Sequence, residues 1–140
     1  MNIFKNHFLF AFLVLLVGCT VTTVIAATSN SIDRGFWPIG LLVSTAVALV
    51  YSLTYSVLAH LMRLSVFPAG YVHILVAKIT IIMAILFYYV PVDWSAINNG
   101  TNMTSLQAVV HSDIVYYAVY LVGIITALVV GLINKLVMRR

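Results

Sequence analysis

The sequence predicts an all-α integral membrane protein: a four-transmembrane-helix bundle with both termini in the cytoplasm. Three observations predict it. Four long apolar stretches, at 8–27, 39–60, 71–90 and 114–134, fill most of the 140-residue chain. Charged residues make up 7% of it against 64% hydrophobic ones. Six of the seven cations fall on one side of the order that the stretches imply. A helix rises ~1.5 Å per residue, so roughly 20 residues cross a ~30 Å hydrocarbon layer, and each stretch is long enough. A soluble domain carries about 25% charged residues. A mean hydropathy of +1.14 instead leaves most of the surface facing lipid or another apolar partner. One membrane domain over residues 1–140 is expected, with the longest connector at 91–113.

The first span, 8–27, follows Lys5 and His7. Its beginning resembles a signal peptide, and Leu16-Val17-Gly18-Cys19 resembles a bacterial lipobox, which would be cut before Cys19 and lipidated there. Apolar character continues through Ala27, however, whereas a cleaved signal has a core of about 7–15 residues. Cleavage would also disturb the charge bias, so an uncleaved span is expected. Gly18, Thr22 and Ala26 recur every four residues along it. Because Cys19 is the sole cysteine, an intrachain disulfide is excluded.

The second span, 39–60, opens behind Phe36 and Trp37 and carries the longest row of small residues: Gly40, Ser44, Ala48, Ser52 and Ser56. Lipid tails are as apolar as Leu, so membrane helices associate through close backbone approach and a few polar contacts. Such rows are read as packing surfaces within the bundle, or as an oligomer interface. Tyr51 and Tyr55 lie one turn apart beside Thr54. A buried phenol needs a hydrogen-bond partner, so this face should point inward, either to bond a neighbouring helix or to line a polar pocket.

The third span, 71–90, contains Lys78 and closes on Tyr88, Tyr89 and Trp94. Lys78 lies about 10 Å in from Tyr71; its stem can snorkel to the headgroups, or its charge can serve an ion path or anion site. Tyr51, Tyr55 and Lys78 together form the candidate polar pocket. The outer connector holds Asn98-Asn99-Gly100 as a turn signal. It also holds two formal glycosylation sequons, at Asn99 and Asn102, which would matter only in a secretory pathway. The fourth span, 114–134, opens on Tyr116 and Tyr117 and carries Gly123, Ala127 and Gly131, with Asp113 placed to cap it.

Orientation follows from the cations. With the N-terminus inside, Lys5, Arg63, Lys78, Lys135, Arg139 and Arg140 are cytoplasmic and only Arg34 is outside, a strong positive-inside bias. Asp33, Asp93 and Asp113 all fall outside. The compact chain is expected in a bacterial inner membrane.

The chemistry-bearing residues are few. No acid lies inside a span, whereas proton-coupled transport ordinarily uses one. There is no phosphate-cradling glycine loop, no H-E-x-x-H helix and no cysteine pair. Neither an enzyme nor a bound cofactor is expected. His60 and His73 flank the second connector and are the weak candidates for a metal or haem site. His111, Asp113 and Asp93 are a weaker cation group. The partners expected are the bilayer and another membrane protein or a second copy of the chain, with no nucleic acid. The leading expectation is a non-catalytic protein acting through helix contacts, as an accessory subunit or an immunity or exclusion protein. The alternatives are an oligomeric transporter, channel or holin-like pore, and a haem or redox subunit.

Overall fold

The computed structural model describes residues 3–28 and 37–138. Asp33, Arg34 and Phe36 of the first connector, the side chain of Trp37, and Arg139 and Arg140 lie outside the described residues. The elements run α1 (Ile3–Thr28), α2 (Trp37–Leu61), α3 (Ala69–Tyr89), α4 (Trp94–Asn98), α5 (Ser105–Val110) and α6 (Asp113–Val137). The described residues contain no strand. Four of the helices, α1, α2, α3 and α6, are long and apolar enough to cross a membrane. Leu42, Leu61 and Ile114 on their outer faces are 71%, 72% and 78% exposed, a surface suited to an apolar solvent.

Element ends follow local chemistry. Helix α1 starts at Ile3, five residues before the predicted span, because Lys5, Asn6 and His7 lower hydropathy without breaking a helix. Pro38 sits in the first turn of α2, where its missing N–H costs no helical bond. At the other end Arg63 takes a left-handed backbone (φ 51°). Leu64 N–H then reaches back to Ala59 C=O at 2.9 Å and Arg63 N–H to His60 C=O at 3.0 Å, a Schellman closure. Pro91 stops α3 one residue beyond its C-cap, Val90.

The outer connector folds into two short capped helices. Asp93 caps α4 by accepting from Ser95 and Ala96 N–H. Thr104 and Gln107 form a reciprocal capping box on α5. Gly100 (φ +96°) makes the turn between them, where an L side chain would be strained. Asp113 does not cap α6. Ser112 holds the cap position without a side-chain bond, and Asp113 is the first helical residue, where its charge complements the helix dipole.

The bundle closes as a ring in which α1 lies against α2 and α3, and α6 against α3 and α2. Small residues allow these approaches. A Cβ on Gly18 would stand 2.8 Å from Ala77 Cβ, and one on Gly40 2.9 Å from Thr23 Cγ2. On α6, a Cβ at Gly123 would meet Val76 at 2.5 Å and one at Gly131 would meet Leu64 at 2.9 Å. Ala48, Ser52, Ser56 and Ala127 are fully buried. Thr22 bonds back to Gly18 C=O, while Ser44 meets Thr23 across the α1–α2 contact. Gly18, Gly40, Ser44, Gly123 and Gly131 of these rows thus lie against other helices of the same chain. The third span carries a row of its own, Ala69, His73, Ala77, Thr80 and Ala84, all buried.

Candidate functional site

The two diagonals of the ring are bridged by side chains rather than backbone, and these bridges form a buried cluster of histidine and tyrosine. His7 on α1 is 1% exposed, Tyr55 and Tyr51 on α2 are 1% and 3%, and His73 on α3 is 1%. Each arrives by helical periodicity. His7 continues the buried face of Ala11, Leu15 and Gly18, while Tyr51 and Tyr55 share one face of α2 at four-residue spacing.

The bonds fix much of the protonation pattern. His7 Nε2 lies 2.9 Å from Leu64 C=O. A carbonyl only accepts, so Nε2 carries the proton, and in the neutral ring Nδ1 must accept. Tyr55 Oη stands 3.2 Å from that Nδ1 and is its donor. Tyr51 Oη lies 3.1 Å from His73 Nδ1. The Tyr55 ring sits edge-on to both imidazoles, with centroids 5.5 Å from His7 and 4.3 Å from His73. Tyr51 is also edge-on to Tyr120 at 6.1 Å. Tyr120 Oη meets Cys19 Sγ at 3.5 Å, which bridges the second diagonal, α1 to α6.

Beyond Cys19 the polar groups continue. Thr23 donates to Cys19 C=O at 2.9 Å and shares a 2.5 Å bond with Ser44. A cavity of about 180 Å³ opens beside them, with Cys19, Ser44, Tyr120 and Asp113 in its wall. From His7 to Thr23 the column follows sixteen residues of α1, so about 24 Å of the bundle axis. It is not a continuous hydrogen-bonded wire. Ring edges, not hydrogen bonds, join Tyr55 to His73 and Tyr51 to Tyr120.

The cluster also holds the α2–α3 connector. Carbonyls left over at the end of α2 are collected from two sides: Leu64 by His7, and Met62 by Lys135 Nζ of α6. Asn134 Nδ2 adds bonds to Ser65 Oγ and Phe67 C=O, both at 3.3 Å. Ser52 and Ser56 hydroxyls are buried with no partner.

Several predicted site residues fall elsewhere. Lys78 does not join Tyr51 and Tyr55; it lies on the exposed face of α3. The space beside the tyrosines is taken by His7 and His73. His60 is exposed, edge-on to Phe4 at 6.2 Å, and is not brought to His73. The histidine grouped with His73 is His7, which precedes the predicted first span. His7 has both nitrogens committed and offers no lone pair to a metal. His111 donates to Val90 C=O at 2.7 Å and packs on Phe87, while Asp93 is occupied by its cap. Among the described residues no three His, Cys, Asp or Glu side chains converge as a metal site would require.

Outside the spans, the Asp93 carboxyl is held below its ordinary range by the Ser95 hydroxyl, at 2.7 Å, and the Ala96 N–H, at 3.1 Å. Comparison with known protein families, curated proteins and solved structures finds no match to this chain.

Proposed function

We propose that the chain is a non-catalytic multi-pass protein of a bacterial inner membrane with both termini cytoplasmic, working by contact with another membrane protein. Accessory subunits of membrane complexes and immunity or exclusion proteins are the classes that fit. The observation that carries this reading is the division between inside and outside. His7 bonds a backbone carbonyl and Tyr55, and Tyr51 bonds His73 Nδ1, so most of the cluster's polar atoms are engaged within it. The glycines of the small-residue rows lie against the chain's own helices. What is left for a partner is the outer apolar surface, including an open groove of about 330 Å³ between α3 and α6 beside Leu75, Ile79, Val115 and Val122. Orientation is supported by Lys5, Arg63, Lys78 and Lys135, which belong to one half of the bundle, and by Asp93 and Asp113, which belong to the other. Photocrosslinkers at Leu121 and Ile125, both exposed on α6, test the reading in cells. A single foreign membrane protein recovered in stoichiometric amount is expected; the chain recovered alone would count against it.

The polar column supports a second reading, an oligomeric transporter or channel in which protons or a small polar solute follow the His7–Tyr55–His73–Tyr51 axis. The ring-edge joint between Tyr55 and His73 would need water or a side-chain rotation to carry a proton. Flux in liposomes holding pure protein, lost in His73→Leu, would favour this reading over the first.

A further inference from the structure

We infer that the cavity between α6 and the α1–α2 pair holds one small organic ammonium cation, between the Asp113 carboxylate and the rings of Tyr116, Tyr117 and Tyr120. These four residues stand at positions i, i+3, i+4 and i+7 of α6, so they share one helix face. Helical side chains lean toward the helix N-terminus. The three rings therefore lean toward the carboxylate, and the deepest of them, Tyr120, starts about 10 Å below it. Tyr120 is fixed there, with its Oη 3.5 Å from Cys19 Sγ and its ring edge-on to Tyr51. Val43, Ser44 and Val47 of α2 form the facing wall.

The lining selects both the sign and the kind of ligand. Among the described residues, Asp113 is the one charged group in the wall; Lys5, Arg63, Lys78 and Lys135 do not line it. Two wall hydroxyls have spent their protons on backbone: Thr22 donates to Gly18 C=O at 2.9 Å and Ser44 to Cys19 C=O at 3.3 Å. The face of a tyrosine ring is electronegative and attracts a cation placed over it. A hard metal ion needs several oxygen ligands. One carboxylate does not supply them, and no three His, Cys, Asp or Glu converge among the described residues. Carboxylate and rings together suit an ammonium carrying methyl groups. The cavity, at about 180 Å³, is smaller than the ~300–1,000 Å³ typical for drug-sized molecules, so the ligand is of choline size. That the cavity faces the outside rests on the orientation proposed above; the binding itself does not.

Equilibrium dialysis of radiolabelled choline against the full chain in phosphatidylglycerol nanodiscs, at fixed ionic strength, tests this. One choline per chain should bind, and the uncharged isostere 3,3-dimethylbutanol should not displace it. Asp113→Asn should weaken binding about five-fold, and Tyr117→Leu about three-fold. Tyr117→Phe, which keeps the ring, and Asp93→Asn should leave it unchanged. Equal losses in Tyr117→Phe and Tyr117→Leu would overturn the ring contact, and a loss in Asp93→Asn matching that in Asp113→Asn would mark general surface charge. Absence of saturable binding, unchanged binding in Asp113→Asn, or displacement by equimolar magnesium would overturn the site. Arg34 lies outside the described residues; choline bound by Arg34→Gln but not by the native chain would overturn the site by making Arg34 the partner of the carboxylate. Phosphatidylcholine nanodiscs separate two sources of the same chemistry. Unchanged affinity there assigns the site to a free ammonium, and a loss assigns it to the lipid headgroup.

Discussion

Tyr55→Phe should destabilise the protein when His7 is present and stabilise it when His7 is replaced by Leu. The sign change follows from the bond directions. In the native cluster Tyr55 Oη donates to His7 Nδ1 at 3.2 Å, so Phe leaves a buried nitrogen lone pair without a donor. A net hydrogen bond contributes about 0.5–1.5 kcal/mol, and interhelical bonds in membranes average nearer ~0.6. The expected loss is therefore about 1 kcal/mol. His7→Leu removes both bonds at once and orphans Leu64 C=O as well as the Tyr55 hydroxyl. At about 1–3 kcal/mol for each unsatisfied buried group, partly offset by the added apolar contact, the loss should reach roughly 2–4 kcal/mol. In that background Tyr55→Phe deletes an orphaned hydroxyl and should restore up to about 1 kcal/mol. The coupling of roughly 2 kcal/mol lies within the range for residues sharing one network. Equilibrium unfolding by SDS in mixed micelles, followed by far-UV circular dichroism, reads all four corners of the cycle. Equal effects of Tyr55→Phe in both backgrounds would refute the bond and the tautomer assigned to His7.

Gly18→Ala places a methyl group 2.8 Å from Ala77 Cβ and 3.1 Å from its Cα, where no rotamer change gives relief, and should cost about 1–3 kcal/mol in the same assay. Val17→Ala, one residue away and 63% exposed, should be near neutral and is the control. Ser52→Ala and Ser56→Ala should each be neutral or stabilising by up to about 1 kcal/mol, since both hydroxyls are buried without partners; a clear loss would mean that a water bridges them. The α4 cap should weaken on acidification. Its carboxyl titrates below the ordinary range in the folded chain, so the contribution is complete above that range and is lost as pH falls through the lowered value. Amide exchange at Ser95 and Ala96 should quicken there, and Asp93→Asn should flatten the dependence.

Much of this architecture is visible in the chain because two rules act over long stretches: twenty apolar residues make a span, and small residues every four positions make a contact face. Gly18, Gly40, Gly123 and Gly131 stand in the helix contacts for that reason. The cluster is harder to read because its two histidines sit where hydropathy drops. His7 precedes the apolar run that marks the first span, yet α1 extends back to Ile3 and carries it inside. Extending the Gly18–Leu15–Ala11 face by one more turn lands on His7, a signal that hydropathy alone hides. His73 is likewise part of the row through Ala69, Ala77 and Ala84, which is interrupted by polar residues and so looks unlike a stripe. Pairing His73 with His60 used closeness across the α2–α3 connector. The Schellman closure at Arg63 ends α2 with His60 turned outward, and helical phase decides the outcome over sequence distance.

Cysteine labelling from the two faces of the membrane tests the four-pass topology most directly. In a Cys19→Ser background, Ser65→Cys and Asn99→Cys place single thiols on exposed positions of the two connectors. An impermeant maleimide should label Asn99→Cys in intact cells and Ser65→Cys only after permeabilisation. Labelling of both from the same face, or in the reverse order, would contradict the account.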